Sequence, residues 1–199
     1  MEKELEDETN LDRARAQFST QVTILGAAVF AAWLAELIDA ALLGQRLNAL
    51  GIQPRQIEGL WGILFMPLLH GGLGHLLANT VPFVVLGWMV MLRRLSDFVT
   101  VTLMTMVVTG TGLWLFGAGD AIYIGASSLV FGYFGFLLFR GYFERSPFSI
   151  IIAVVVAIVY GGMIWGLFPQ RPGISWEAHV LGFIGGVLAA RTLSQRRSV

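Results

Sequence analysis

Apolar residues along this chain come in long blocks separated by short polar stretches. Crossing the ~30 Å hydrocarbon core of a bilayer takes ~20 residues of helix. Six blocks approach that length: 21–43, 75–92, 98–117, 122–139, 149–168 and 176–192. The pattern predicts an all-α membrane protein, a bundle of six transmembrane helices. Two of the blocks, 75–92 and 122–139, are 18 residues long and should tilt little or thin the bilayer locally. Residues 1–20 open on "MEKELEDETNLDRARAQ", too polar and acidic for a cleavable signal, and read as a cytosolic tail. Residues 21–195 then form one domain. Between the first two blocks lies a long connection, about 44–74, that contains "LWGILFMPLLHGGLGH". It is apolar without being a clean span, so it is expected to lie in the interface plane and pack against the bundle.

Composition supports the membrane reading. Hydrophobic residues make up 56% of the chain and charged residues 13%, with a mean hydropathy of +0.72. The charged share is about half the ~25% of a soluble domain. A net charge of zero gives no footprint for a nucleic-acid partner. With no cysteine, thiolate and disulfide chemistry are excluded. Ten of the 13 Lys and Arg residues fall on one side of the predicted spans, among them Arg93, Arg94, Arg140, Arg145 and Arg191. Only Arg46, Arg55 and Arg171 fall on the other. The positive-inside rule then puts both termini in the cytoplasm, in the plasma or inner membrane, and starts blocks two, four and six at the outer face.

The few polar residues inside the blocks converge on that face. The three histidines, His70, His75 and His179, lie at the outer ends of blocks two and six. Asn79 follows His75 by four residues and shares its helical face. Ser127 and Ser128 open block four. Each has an ordinary reading as packing residue or interhelical hydrogen-bonder, but their joint occurrence at one depth is a functional signal. Gly125, Ser128, Gly132 and Gly135 form a stripe of small residues; Ala178, Gly182, Gly186 and Ala190 form a second. If the two stripes meet, Ser128 lies in the seam, and Ser127 and His179 border it. That suits a serine nucleophile and its imidazole base, with His75 and Asn79 as donors to an oxyanion. No carboxylate is well placed as a third member: Glu36 and Asp39 read as interfacial, Glu177 points elsewhere, and Asp120 is in a loop. A Ser–His dyad performing acyl transfer is expected.

Three blocks resemble the rhomboid intramembrane serine proteases. "HGGLGHLLANT" (70–80) is similar to the family's His-x4-His-x3-Asn block, "GASS" (125–128) to its Gly-x-Ser-Gly motif, and "AHVLGFIGG" (178–186) to its Ala-His-x2-Gly-x3-Gly block. The resemblance implies that Ser127 is the nucleophile and His179 the general base. His75 and Asn79 would join the Ser127 N–H in the oxyanion hole. His70 would stabilise the loop, Gly125 would belong to the nucleophile motif, and Phe131 would pack on the catalytic imidazole. It further implies a serine endopeptidase that cleaves transmembrane segments of other proteins near the membrane surface, without cofactor or metal. The chain departs from the family in two places. Ser128 follows the nucleophile where glycine is usual, and Trp61-Gly62 stands where the family has Trp-Arg. Two alternatives accompany this reading. One is a catalytically silent rhomboid-like protein that holds transmembrane clients. The other is a metal-dependent hydrolase using His70, His75 and His179.

Overall fold

The computed structural model describes residues 2–169 and 174–195, with side chains from residue 9 onward. Among these residues seven α-helices carry the architecture: α1 (Glu2–Ile38), α2 (Gly62–Phe65), α3 (Leu73–Met91), α4 (Leu95–Phe116), α5 (Ser127–Glu144), α6 (Pro147–Tyr160) and α7 (Trp176–Gln195). Among the described residues there is no strand, only an isolated antiparallel bridge between Ile52 and Tyr123. The positions of Arg171, Arg196 and Arg197 lie outside the described residues.

Among the described residues, four stretches are long and apolar enough to cross a membrane: Thr9–Leu43, Leu73–Met91, Leu95–Phe116 and Pro147–Leu167. The last corresponds to α6 and a following 3₁₀ segment, Gly161–Leu167. The expected blocks at 122–139 and 176–192 coincide with α5 and α7, which do not meet the same criterion. The physical reason is their place in the bundle. Helix α5 is the core, buried continuously from Ser128 to Leu137, with Tyr133, Phe134 and Phe136 excluded from solvent. A helix surrounded by other helices needs small residues for close approach more than it needs apolar side chains for lipid. Helix α6 is the opposite case. Its mean hydropathy with the 3₁₀ segment is 2.5, and only Ser149 and Val156 are buried.

The two small-residue stripes do meet. A Cβ added to Gly182 would collide with the Ser128 carbonyl, and one on Gly186 with the Gly132 carbonyl. One on Gly135 would stand 2.6 Å from the Phe183 carbonyl. So α5 and α7 touch backbone to backbone, with Ser128 in the seam. Gly125 is a correction to the expected stripe. Helix α5 starts at Ser127, not at residue 122, and Gly125 lies in the loop before it with φ +109°.

Helix α1 is continuous from Glu2, taking in the polar segment that reads as a tail; residues 9–20 are all exposed. The connection after α1 folds into short helical turns and packs against α4. Ile63 fills the space beside Gly110, and the Trp114 indole donates to the Gln56 carbonyl at 2.7 Å. Gly62 has no room for a side chain, because its Cβ would strike the Gly51–Ile52 backbone. An arginine is therefore excluded from position 62 by packing. Glu36 and Asp39 are another correction. Both are buried, not interfacial. Asp39 caps the turn by accepting the Leu47 N–H at 2.9 Å, and Glu36 accepts from the Gln45 amide at 3.4 Å. The chain doubles back over them at Gly44 (φ +62°), which is why neither carboxylate reaches the surface.

At the opposite end of the bundle Arg140 is a buried residue of α5 and not a loop cation. Its guanidinium pairs with Asp97 of α4 and with Glu144, both at 3.0 Å, and Arg93 reaches Glu144 at 2.7 Å. Ser149 of α6 donates to the same carboxylate at 2.6 Å. Replacing Arg140 with alanine strips Asp97 of this guanidinium while keeping it buried. A loss of about 3–5 kcal/mol is expected for breaking such a pair from one side, read as a lowered unfolding midpoint in detergent micelles. A midpoint unchanged from the parent would show that the cluster contributes nothing to stability.

Candidate active site

The site is assembled where the N-terminal ends of α3, α5 and α7 meet. The loop before α5 sets the position of Ser127. Gly125 donates its N–H to the Met66 carbonyl at 2.9 Å, and Ala126 donates its N–H to His70 Nε2 at 3.4 Å. Gly125 has two reasons to be glycine. Its φ of +109° is one that side chains rarely adopt, and a Cβ there would stand 2.8 Å from the His75 ring. Ser127 is then the first residue of α5, where a helix leaves backbone N–H groups without an intrahelical acceptor. Ser127 is half-buried. Ser128, next to it, is 1% exposed, and its hydroxyl has no hydrogen-bond partner among the described residues.

His70 precedes α3 and is buried. Burial, with His75 adjacent, lowers its imidazole from the ordinary 6.5 to about 4. It is therefore neutral at pH 7, as an acceptor of the Ala126 N–H must be. Its Nδ1 has no hydrogen-bond partner among the described residues. The His70 and His75 rings meet edge to face at 5.1 Å. Gly71 donates its N–H to His75 Nδ1 at 3.4 Å. In a neutral ring that leaves the proton on Nε2, as a donor. Asn79 spends one amide hydrogen on the His75 carbonyl, at 3.1 Å, and keeps the other.

His179 stands in the first turn of α7. Phe131, one turn below Ser127, stacks on it with centroids 4.2 Å apart and planes 12° apart. Its Nδ1 is 2.9 Å from the Gly166 carbonyl, at the end of the 3₁₀ segment that follows α6. Ser127, His179, His75 and Asn79 all line one cavity of about 680 Å³, with Phe131, Met163 and Ser175. A second cavity of about 170 Å³ borders Asn79 from the other side and is walled mainly by apolar residues of α1, α3 and α5. The polar groups thus converge on the first cavity, which holds all four residues expected to carry chemistry. His70 lies outside it, behind the loop. Among the described residues no three His, Asp or Glu gather closely enough to hold a metal ion.

Sequence reasoning missed Gly166. Block five runs through "GGMIWG" to residue 168, and nothing in its spacing places a carbonyl of that stretch over His179. It also missed the buried pairing of Asp97 with Arg140. An acid just before one predicted span, at the same end of the bundle as an arginine just after another, is the signal that was available.

A family profile described as the Rhomboid domain matches residues 58–196. An uncharacterized protein of Mycobacterium tuberculosis is 45% identical over 170 residues, covering 81% of this chain and 70% of its own length. A counterpart from Mycobacterium leprae is 41% identical over 170 residues, covering 81% of this chain and 67% of its own. RHOMBOID-like protein 7 of Arabidopsis thaliana is 33% identical over 140 residues, covering 69% of this chain and 43% of its own. The matched region contains α2 to α7 and every residue named around the polar cavity. By sequence, this integral membrane protein belongs to the rhomboid family.

Proposed function

We propose that the protein is an intramembrane serine endopeptidase that cleaves transmembrane segments of other membrane proteins with a Ser127–His179 dyad. The observation that carries this reading is the single cavity lined by Ser127, His179, His75 and Asn79, which come from three different helices. Six helices span the bilayer in this reading, α5 and α7 crossing it inside the bundle.

In the proposed reaction His179 Nε2 removes the proton from Ser127 Oγ as that oxygen attacks the scissile carbonyl carbon. The carbonyl oxygen becomes an oxyanion and receives hydrogen bonds from the Ser127 N–H, from His75 Nε2–H and from the free amide hydrogen of Asn79. The intermediate collapses as the imidazolium protonates the departing nitrogen, leaving an acyl-enzyme on Ser127. A water molecule, deprotonated by His179, then releases the acid product and restores the serine. Phe131 supports the cycle by its stack, because an imidazolium gains from an aromatic face.

The test is direct. Purified protein in liposomes is incubated with a panel of single-span proteins, and the fragments are sequenced. Cleavage within or beside a span, resistant to chelators and blocked by a fluorophosphonate, is the expected result. Binding of clients without cleavage would favour the silent alternative, and chelator-sensitive cleavage the metal-dependent one. The bias of basic residues supports a cytoplasmic location for both termini and an outward-facing site. Reporter fusions after Arg93 and after Asp120 are expected to read cytoplasmic and external; the reverse pattern would invert the topology.

A further inference from the structure

A dyad leaves the second imidazole nitrogen without an assigned role. In this protein that nitrogen is not idle. His179 Nδ1 lies 2.9 Å from the carbonyl oxygen of Gly166. A carbonyl only accepts, so a hydrogen bond at this distance requires the proton on Nδ1 and leaves the lone pair on Nε2. That is the tautomer a base needs when it takes a proton from a serine with Nε2.

We infer that the main-chain carbonyl of Gly166 completes the site as a third, positioning member, holding His179 in the reactive tautomer and orientation, the part a carboxylate plays in soluble triads. The inference rests on the reading of His179 as the base. Three features of the structure support it. No carboxylate is hydrogen-bonded to His179 among the described residues. The Phe131 ring lies almost parallel to the imidazole, which restricts tilting but leaves rotation in the ring plane free. A hydrogen bond to Nδ1 lies in that plane and removes the remaining freedom. Finally, Gly166 packs closely against both rings. A Cβ on Gly166 would stand 2.6 Å from the Phe131 ring and 3.5 Å from His179 Nδ1. Glycine at 166 lets the carbonyl, the imidazole and the aromatic ring approach together. The titratable groups acting on His179 are Glu177 of its own helix and His75 across the cavity. Neither takes over the contact at Nδ1.

The experiment weakens the acceptor without changing a side chain. Replacing Leu167 by its α-hydroxy acid converts the Gly166–Leu167 peptide link to an ester, whose carbonyl accepts more weakly. The same exchange at Ile164 controls for the chemistry. The readout is the rate of Ser127 labelling by a fluorophosphonate across pH, in the full-length protein. Loss of most of one hydrogen bond is expected to slow labelling by about two- to tenfold. It should also change the acid limb of the profile, because the imidazolium loses an acceptor. The Ile164 ester should match the parent. Gly166→Ala should label still more slowly, as its methyl displaces Phe131, whereas Gly161→Ala, with nothing within 4 Å of its added carbon, should not differ from the parent. An ester at 167 with unchanged rate and unchanged pH profile overturns the role of Gly166. Full-rate labelling of His179→Ala would instead overturn the assignment of His179 as base, so the two failures are distinct.

Discussion

Ser127→Ala is expected to abolish both cleavage of a transmembrane client and covalent labelling, a drop of about 10⁴-fold or more if the serine works as nucleophiles do elsewhere. Its neighbour should behave differently. Ser128 is 1% exposed, pressed against α7 where a Cβ on Gly182 would strike its carbonyl, and its hydroxyl has no partner among the described residues. Ser128→Gly or Ser128→Ala should therefore keep labelling and turnover within a few-fold of the parent, since each removes a buried hydroxyl that gains nothing. Ser128→Val should impair folding by wedging the seam. Mass spectrometry of the labelled protein decides between the two serines. A tag on Ser128, or labelling that survives Ser127→Ala, would end the assignment.

The second large effect lies away from the chemistry. Gly186→Val should prevent stable folding, because a Cβ at 186 collides with the Gly132 carbonyl and also stands 2.9 Å from the Phe136 nitrogen. Both of those atoms are backbone of a buried helix and cannot turn aside as a side chain would. Overpacking of a core ordinarily costs about 1–3 kcal/mol, and a backbone-to-backbone seam should sit at or above the top of that range. Gly186→Ala should already lower the unfolding midpoint in micelles. Gly26→Ala is the contrast. That glycine lies in α1 with open space around it, so alanine there should be neutral or stabilise by up to ~1 kcal/mol through helix propensity alone. Equal midpoints for Gly186→Ala and Gly26→Ala would refute the backbone contact between α5 and α7.

Several parts of this architecture were legible in the sequence because they depend on composition and period. Blocks of apolar residues specify helices wherever lipid must be faced, and small residues three and four apart specify which helix faces come closest. That is enough to put Ser128 in a seam and to bring Ser127 and His179 to its border. The triplet of His75, Asn79 and His179 could be placed at one end of the bundle because each sits in the first turns of its block. The resemblance of three short motifs to one family added roles for these residues that periodicity alone left open.

Other parts needed the tertiary structure, because they depend on where the chain turns and not on which residues it contains. Helix α5 begins at Ser127 because Gly125 adopts a φ only glycine favours, and the Met66 carbonyl and His70 tie down the two N–H groups beside it. Hydrophobicity continues through Tyr123 and Ile124, so the pattern carried the helix too far. Carboxylates at a block's end are usually interfacial, but the chain reverses at Gly44 and Glu36 and Asp39 are buried. The absent arginine at position 62 is explained only by the Gly51–Ile52 backbone packed against it. The partner of His179 Nδ1 was invisible for the plainest reason. It is a main-chain carbonyl, a group every residue carries, and only the fold decides which one of them comes within 2.9 Å of the ring.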